Sequence, residues 1–266
     1  MRILLLLWSL GPMLWQLHTS LQPPESLVTP AEAAAGAGWT LANYRLILSA
    51  EPPFWRYLLN STVVGAATTV LTLVIAVPCA YALQRRRGAV GTAATLVLLA
   101  AALFPTVLLF LALLELARGL GLANDLLALS LPYAALCLPL AVLLLRAAFA
   151  DLPPELEAAA RLEGLNLAQR LRHVLLPLIA PPLASTAILV FLFSWNEYPI
   201  ALTWISRNDM LTLPTAMARI AGSSVYTVPY GALAAATVVG SVPLLVLMLV
   251  FQRRIVAGLT QGAIKG

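Results

Sequence analysis

The chain reads as an all-α polytopic membrane protein of six transmembrane helices with both termini cytoplasmic. Of its 266 residues, 61% are hydrophobic and 10% charged, and the mean hydropathy is +0.91; so few charges cannot cover a water-soluble surface. Six apolar stretches approach the roughly 20 residues needed to cross about 30 Å of hydrocarbon. The basic residues fall mainly on one side of those stretches, which fixes the orientation.

The first stretch, Ile3 to Leu17, has the length of a signal-peptide core. It contains Gly11-Pro12, two Trp and Gln16, and Thr19 to Pro24 lack a small-x-small cleavage pattern. It is read as a retained first helix, residues 1–20. Residues 21–61 carry Pro, Glu and the aromatics Trp39, Tyr44, Phe54, Trp55 and Tyr57, a composition suited to an interfacial extracytoplasmic segment. Residues 62–253 hold the remaining spans: Thr62 to Leu83, Thr92 to Leu114, Leu126 to Leu145, Pro182 to Trp204 and Gly231 to Phe251. Pro78, Pro105, Pro132, Pro139, Pro199 and Pro243 lie in or beside them and can kink helices. Residues 254–266 form a cytoplasmic tail.

With the N-terminus inside, the cytoplasmic pieces carry Arg2, Arg85, Arg86, Arg87, Arg146, Arg161, Arg170, Arg172, Arg253, Arg254 and Lys265; the other side carries Arg45, Arg56, Arg118, Arg207 and Arg219. This 11 to 5 split satisfies the positive-inside rule and favours an even number of spans. The net charge of +5 is therefore a topology signal and implies no nucleic-acid partner. Cys79 and Cys137 sit in apolar stretches, so no disulfide framework is implied. His18 and His173 lack carboxylate neighbours at ligand spacing, and no metal site is expected.

The most charged segment, residues 149–178, lies between the fourth and fifth spans on the cytoplasmic side. It reads as two short helices. Asp151 can cap the first, the prolines suit its first turn, and Glu155 and Glu157 favour the positive end of its dipole. Gly164 supplies a left-handed stop, and a second helix runs from about Leu167 to Pro177. An ordinary solvated loop fits these residues as well.

The run Glu155-Leu156-Glu157-Ala158-Ala159-Ala160-Arg161-Leu162-Glu163-Gly164, with Pro177 thirteen positions beyond the glycine, resembles the EAA loop of ABC importer permeases. In that family the loop is a coupling helix that docks on an ATP-binding subunit. The resemblance implies that role for Glu155, Glu157, Ala158, Ala159, Arg161, Glu163 and Gly164. One departure stands out. Aligned on Gly164, the Glu of Glu-Ala-Ala falls on Ala158, with Glu157 one position earlier. One residue turns a helix by about 100°, so Glu157 does not inherit the missing side chain's direction.

Leu59-Asn60-Ser61, Ala80-Tyr81-Ala82, Phe104-Pro105, the run from Ser194 to Leu202 and the tail from Phe251 to Gly266 resemble the carbohydrate-importer permeases of the maltose and trehalose type. Within these the chain is similar to the second permease, which ends in Gly-Leu-Thr-x-Gly-Ala-x-Lys-Gly. The resemblance implies a type I ABC importer permease fold and a place in the cell's inner or plasma membrane. It also implies as partners a sister permease, two ATP-binding subunits and an extracytoplasmic sugar-binding protein, with ATP and Mg held by the ATP-binding subunits. The tail, with Thr260, Gln261, Gly262 and Lys265, is implied to reach those subunits.

No Gly-x-x-x-x-Gly-Lys-Ser/Thr loop occurs, and Lys265 is the sole lysine, so this chain is not expected to hold nucleotide or to be an enzyme. The His-Glu-x-x-His and Gly-x-Ser-x-Gly patterns of a polytopic membrane enzyme are also missing. A secondary transporter would bring internal repeats and more intramembrane charge.

Glu197 is the one acidic residue well inside an expected span. A charge at the bilayer centre costs about 2.5–3.5 kcal/mol on insertion scales, so Glu197 should face the bundle or a wet cavity. Two roles fit. Asn196 and Glu197 can bond sugar hydroxyls, with Trp195, Tyr198 or Trp204 stacking on a pyranose. Alternatively they bond a sister permease or cap the helix break that Pro199 imposes. Asn60 has the same two readings. The stretch Arg219 to Ser224 and the tail point towards trehalose or maltose as cargo, with glycerol phosphate or an oligosaccharide as the alternative.

Overall fold

The computed structural model describes residues 2–23, 38–86, 88–222 and 229–263, side chains at 2–7, 106–107 and 253–263 excepted. Every regular element among them is helical. Helix α1 is Arg2–Ser20, and α2 is the short Ala42–Ser49. Helix α3, Phe54–Arg85, runs unbroken for 32 residues. Helix α4 (Ala89–Ala102) is followed by a 3-10 turn (Thr106–Leu109) and α5 (Phe110–Gly119), then by α6, Leu126–Ala150. Helices α7 (Pro154–Leu162) and α8 (Leu167–Leu178) form the loop after α6. Helices α9 (Ala180–Asn196) and α10 (Pro199–Trp204) follow, then α11 (Leu213–Ala221) and α12 (Tyr230–Ala263).

Among the described residues, three single helices are long and apolar enough to cross a bilayer: α3, α6 and Tyr230–Gln252 of α12. Helices α8 and α9 pass the same test as a pair bent by 85°. Two expected spans are interrupted. The one drawn from Thr92 to Leu114 breaks at Leu103 to Pro105, where proline removes a backbone donor. The one drawn from Pro182 to Trp204 breaks at Glu197 and Tyr198, immediately before Pro199. Helix α3 also starts eight residues earlier than the span expected at Thr62, with the extended Pro53 (φ −70°, ψ 146°) marking its boundary just before Phe54. Residues 54–61 thus belong to the helix and not to the interfacial segment, whose residues 24–37 lie outside those described.

Helices α3 and α6 pack together more extensively than any other pair, and they run parallel. Near one end Val64 shares a cluster with Leu129 and Tyr133; near the other, Tyr81 meets Phe149 with ring centroids 5.7 Å apart. The chain between them must cross back, and it does: α4 lies beside the late residues of α6, with Thr95 bonded to Arg146, and Ala117 of α5 joins the Leu129 cluster. Lipid offers no hydrophobic drive for helix association, so close approach of small and hydroxyl residues must supply it. The buried face of α3 has that composition, with Gly65, Thr68, Thr72, Ala76 and Ala80 at helical spacing. A Cβ on Gly65 would lie 2.8 Å from the Phe191 ring, so only glycine lets α9 come this near.

Candidate functional site

The loop after α6 is built by its capping residues. Asp151, expected to cap α7, instead closes α6, with its N–H donating to the Ala147 carbonyl. The N-cap of α7 is Pro153, which presents no side-chain acceptor. Glu155 and Glu157 in the first turn and Arg161 in the last complement the dipole. The helix ends as a Schellman motif: Leu165 N–H donates to the Ala160 carbonyl (3.1 Å) and Gly164 N–H to Arg161 (3.0 Å), with Gly164 at φ +80°.

Asn166 then starts α8 with a reciprocal capping box. Its Oδ1 accepts from Gln169 N–H (3.0 Å) and its N–H donates to Gln169 Oε1 (2.9 Å). Within α8, residues Arg170–Leu175 form a π-helical turn. Pro177, two residues on, cannot donate to the carbonyl four positions back, and the widened turn accommodates that gap.

Helix α7 has two faces. Ala160 and Glu157 are buried; Glu155, Leu156, Ala158, Ala159, Glu163 and Gly164 point outward, and Leu162 is 90% exposed. Glu157 therefore serves the chain itself and leaves the outward face to its neighbours. Tyr81 Oη donates to its Oε1 at 2.7 Å, Arg161 approaches the same oxygen at 3.1 Å and Arg170 at 3.9 Å, and Arg85 pairs with Oε2. The Arg85 guanidinium also lies 4.5 Å from the centroid of the Tyr81 ring. Three elements, α3, α7 and α8, thus converge on one carboxylate, whose side chain is 10% exposed. Such a charge is tolerable only with its partners in place. A polar cavity of about 400 Å³ lined by Tyr81, Gln84, Arg85, Pro153 and Glu157 opens beside it.

At the break between α9 and α10, Glu197 caps the restarted helix. Its Oε1 accepts Ile200 N–H at 2.8 Å, its Oε2 accepts Ala201 N–H at 3.1 Å, and Tyr133 Oη donates to Oε2. Asn196 is exposed but bonds back to the Leu192 carbonyl at 2.8 Å. Trp195 stacks on Phe191 (5.5 Å, 27°) and is buried, as is Trp204; neither indole offers a free face for a sugar. Tyr198 is half-buried. The structure thus brings Glu197 together with Tyr133, a partner that no local motif announced.

Asn60 is likewise an anchor. Its Nδ2 donates to the carbonyls of Asp209 (3.0 Å) and Leu211 (2.9 Å), while Ser61 Oγ accepts from Leu213 N–H (2.7 Å). Arg56 Nε donates to the Asp209 carbonyl, and its guanidinium lies 3.5 Å from the Asp209 carboxylate, which Arg207 also contacts at 2.9 Å. The Arg207 hydrogen bonds, helped by the charge of Arg56, hold the Asp209 carboxyl below its usual range. Asn124, at φ +60°, completes this knot: its Oδ1 accepts from Ser206 N–H, Ser206 Oγ and Arg207 N–H. Of the tail residues, Thr260, Gln261 and Gly262 continue the backbone of α12; their side chains and Lys265 lie outside the described residues.

Residues 72–260 match the family model described as "Binding-protein-dependent transport system inner membrane component". The chain is 38% identical over 264 residues to the trehalose transport system permease protein SugB of Mycobacterium tuberculosis, covering 97% of this chain and 93% of that one. It is 36% identical to the sulfoquinovosyl glycerol transport system permease protein SmoH of Agrobacterium fabrum (99% and 91% covered). To the trehalose/maltose transport system permease protein MalG of Thermococcus litoralis it is 34% identical (99% and 94%). Among solved structures, the fold matches a chain of a bacterial ABC transporter involved in import of the acidic polysaccharide alginate, with a TM-score of 0.79 at 21% identity, covering 94% of this chain and 92% of that one.

Proposed function

Because the chain belongs to the binding-protein-dependent transport system inner membrane component family, we propose that it is one of two permease subunits through which an ATP-driven importer carries a disaccharide across the plasma membrane. It is a multi-pass carbohydrate-type ABC transporter permease. Six spans with cytoplasmic termini complete the proposed topology. ATP hydrolysis, with its Mg, belongs to two partner subunits, and a binding protein outside delivers the cargo to this chain and a different sister permease. Trehalose or maltose is the proposed cargo, supported by relatives whose names carry those sugars. Relatives named for sulfoquinovosyl glycerol and diacetylchitobiose keep other glycosides in view.

The observation that carries this reading is the geometry of α7. A short amphipathic helix stands off the bundle, fastened from behind through Glu157, with Leu162 and the small residues Ala158 and Ala159 left outward. A rigid, partly apolar knob of this kind suits a cleft in a partner that closes and opens with ATP, and each step of transport is then a population shift in a bistable bundle. Co-expression with a sister permease, an ATPase subunit and a binding protein tests the proposal. The purified complex should hydrolyse ATP faster when its binding protein carries trehalose or maltose. Stimulation by another sugar alone would change the cargo, and failure of any ATPase subunit to co-purify would refute the role.

A further inference from the structure

Helix α3 is fastened at both ends. At about 1.5 Å per residue its 32 residues reach about 48 Å, slightly more than the roughly 40–45 Å of a bilayer with its headgroups. Its outer end is tied through Arg56, Asn60 and Ser61 to the segment from Asp209 to Leu213. Its inner end is tied through Tyr81 and Arg85 to Glu157 of α7. Helix α6, packed parallel to α3, follows the same path: Asn124 at its outer start holds Ser206 and Arg207, and its inner end turns into α7 through residues 151–153.

Two of the other crossings lack this continuity. The path through α4 and α5 is interrupted at Leu103 to Pro105, and that through α8, α9 and α10 is bent by 85° and broken again at Glu197. A displacement entering these crossings would be absorbed at the breaks. One entering α7 meets α3 directly, provided that α7 cannot pivot on residues 151–153. The carboxylate of Glu157 prevents that pivot.

We propose that the parallel pair α3 and α6 is the rod that carries the signal between the ATPase dock and the outer segment 204–213, with Glu157 and Asn60 as positioning residues at its two ends. This rests on the transport role proposed above. In the topology proposed above, the segment 204–213 lies on the side from which a loaded binding protein approaches, so arrival of cargo outside and nucleotide engagement inside would be linked through one rigid element. A route of this kind needs coupling evidence beyond spatial continuity, and a double-mutant cycle supplies it.

The experiment uses the complete reconstituted complex and reads the ratio of ATPase rate with loaded binding protein to the rate without it. The wild-type ratio comes first; absence of stimulation there would refute the transport role and with it the rod. Asn60→Ala and Glu157→Gln should each lower the ratio by about 5- to 10-fold, in the range of ordinary allosteric couplings. Sites about 38 Å apart along one helix, 25 residues from Asn60 to Arg85, normally act additively. If both serve one rod, Asn60→Ala/Glu157→Gln lowers the ratio no further than the worse single variant. An additive double loss overturns the proposal, as does a ratio left intact by either single change. Assembly with the ATPase subunits is followed by gel filtration of the same samples, and a Glu157→Gln chain that no longer assembles also overturns it, since the carboxylate would then be a folding anchor.

Discussion

Tyr133 donates its hydroxyl to Glu197, and the same carboxylate receives the first two free N–H groups of α10. A charge that would be costly in hydrocarbon is thereby given three donors. Glu197→Ala leaves a phenol and two amides without acceptors, at about 1–3 kcal/mol for each buried group, so a loss of at least about 3 kcal/mol is expected. Glu197→Gln retains acceptor oxygen at one position and should lose about half of that. Unfolding of the detergent-solubilised protein measures both. A Glu197→Ala chain of wild-type stability that transports nothing would return Glu197 to the sugar-binding role.

Gly164 sits at φ +80° with open space where a Cβ would be. Alanine there meets no clash, only the left-handed penalty of about 1–2 kcal/mol, which falls on the end of α7. Global unfolding would register little of a change confined to one short helix. Hydrogen exchange over residues 154–169 should register it, with amides of Glu163, Gly164 and Leu165 exchanging faster in Gly164→Ala. Equal protection in the two proteins would mean that the Schellman turn does not hold this helix end.

Length and hydropathy sufficed to read a helical membrane protein, and the turn at Gly164 and the break before Pro199 follow from single residues whose backbone rules are local. The capping box from Asn166 to Gln169 is equally local, spanning four residues, yet it emerged only with the structure. What sequence could not disclose is pairing across distance. Glu157 meets Arg85 from 72 positions away and Glu197 meets Tyr133 from 64, and neither spacing obeys a periodicity. The direction of Glu157 also depends on which face of α7 turns to the bundle, which tertiary packing decides. The early start of α3 has the same cause, since Phe54 is drawn into a buried cluster with Trp195 and Leu213.

Asn124 combines a left-handed backbone with three accepted hydrogen bonds, and two substitutions separate those contributions. Asn124→Gly removes the bonds and keeps the conformation. Asn124→Ala removes the bonds and adds about 1–2 kcal/mol of backbone strain. Thermal unfolding should rank the proteins wild type, then Asn124→Gly, then Asn124→Ala, with the two variants about 1 kcal/mol or more apart. Coincident variants would show that the backbone relaxes here and that the side-chain bonds carry the whole effect.

Ala158 occupies the position where the EAA pattern has its glutamate, and it lies on the outward face of α7, one turn before Arg161 and Leu162. A carboxylate there would be solvated, so Ala158→Glu should alter this chain's own stability by no more than about 0.5 kcal/mol. It would also lie three residues from Arg161, whose guanidinium now reaches Glu157 at 3.1 Å and is 53% exposed. Competition for that cation is worth only about 0.2–0.5 kcal/mol on a helix surface, too little to release Glu157 while Tyr81 and Arg85 hold it. The change therefore acts on the outward surface. If that surface meets the ATPase subunit as the family pattern implies, one added rim charge is worth about 0.2–1 kcal/mol, or up to about fivefold in affinity. Titration of the ATPase subunit onto the solubilised permease pair should show Ala158→Glu binding more tightly and Ala158→Arg more weakly. Opposite shifts identify an electrostatic contact at this position, whereas two unchanged affinities would place the dock elsewhere on the loop.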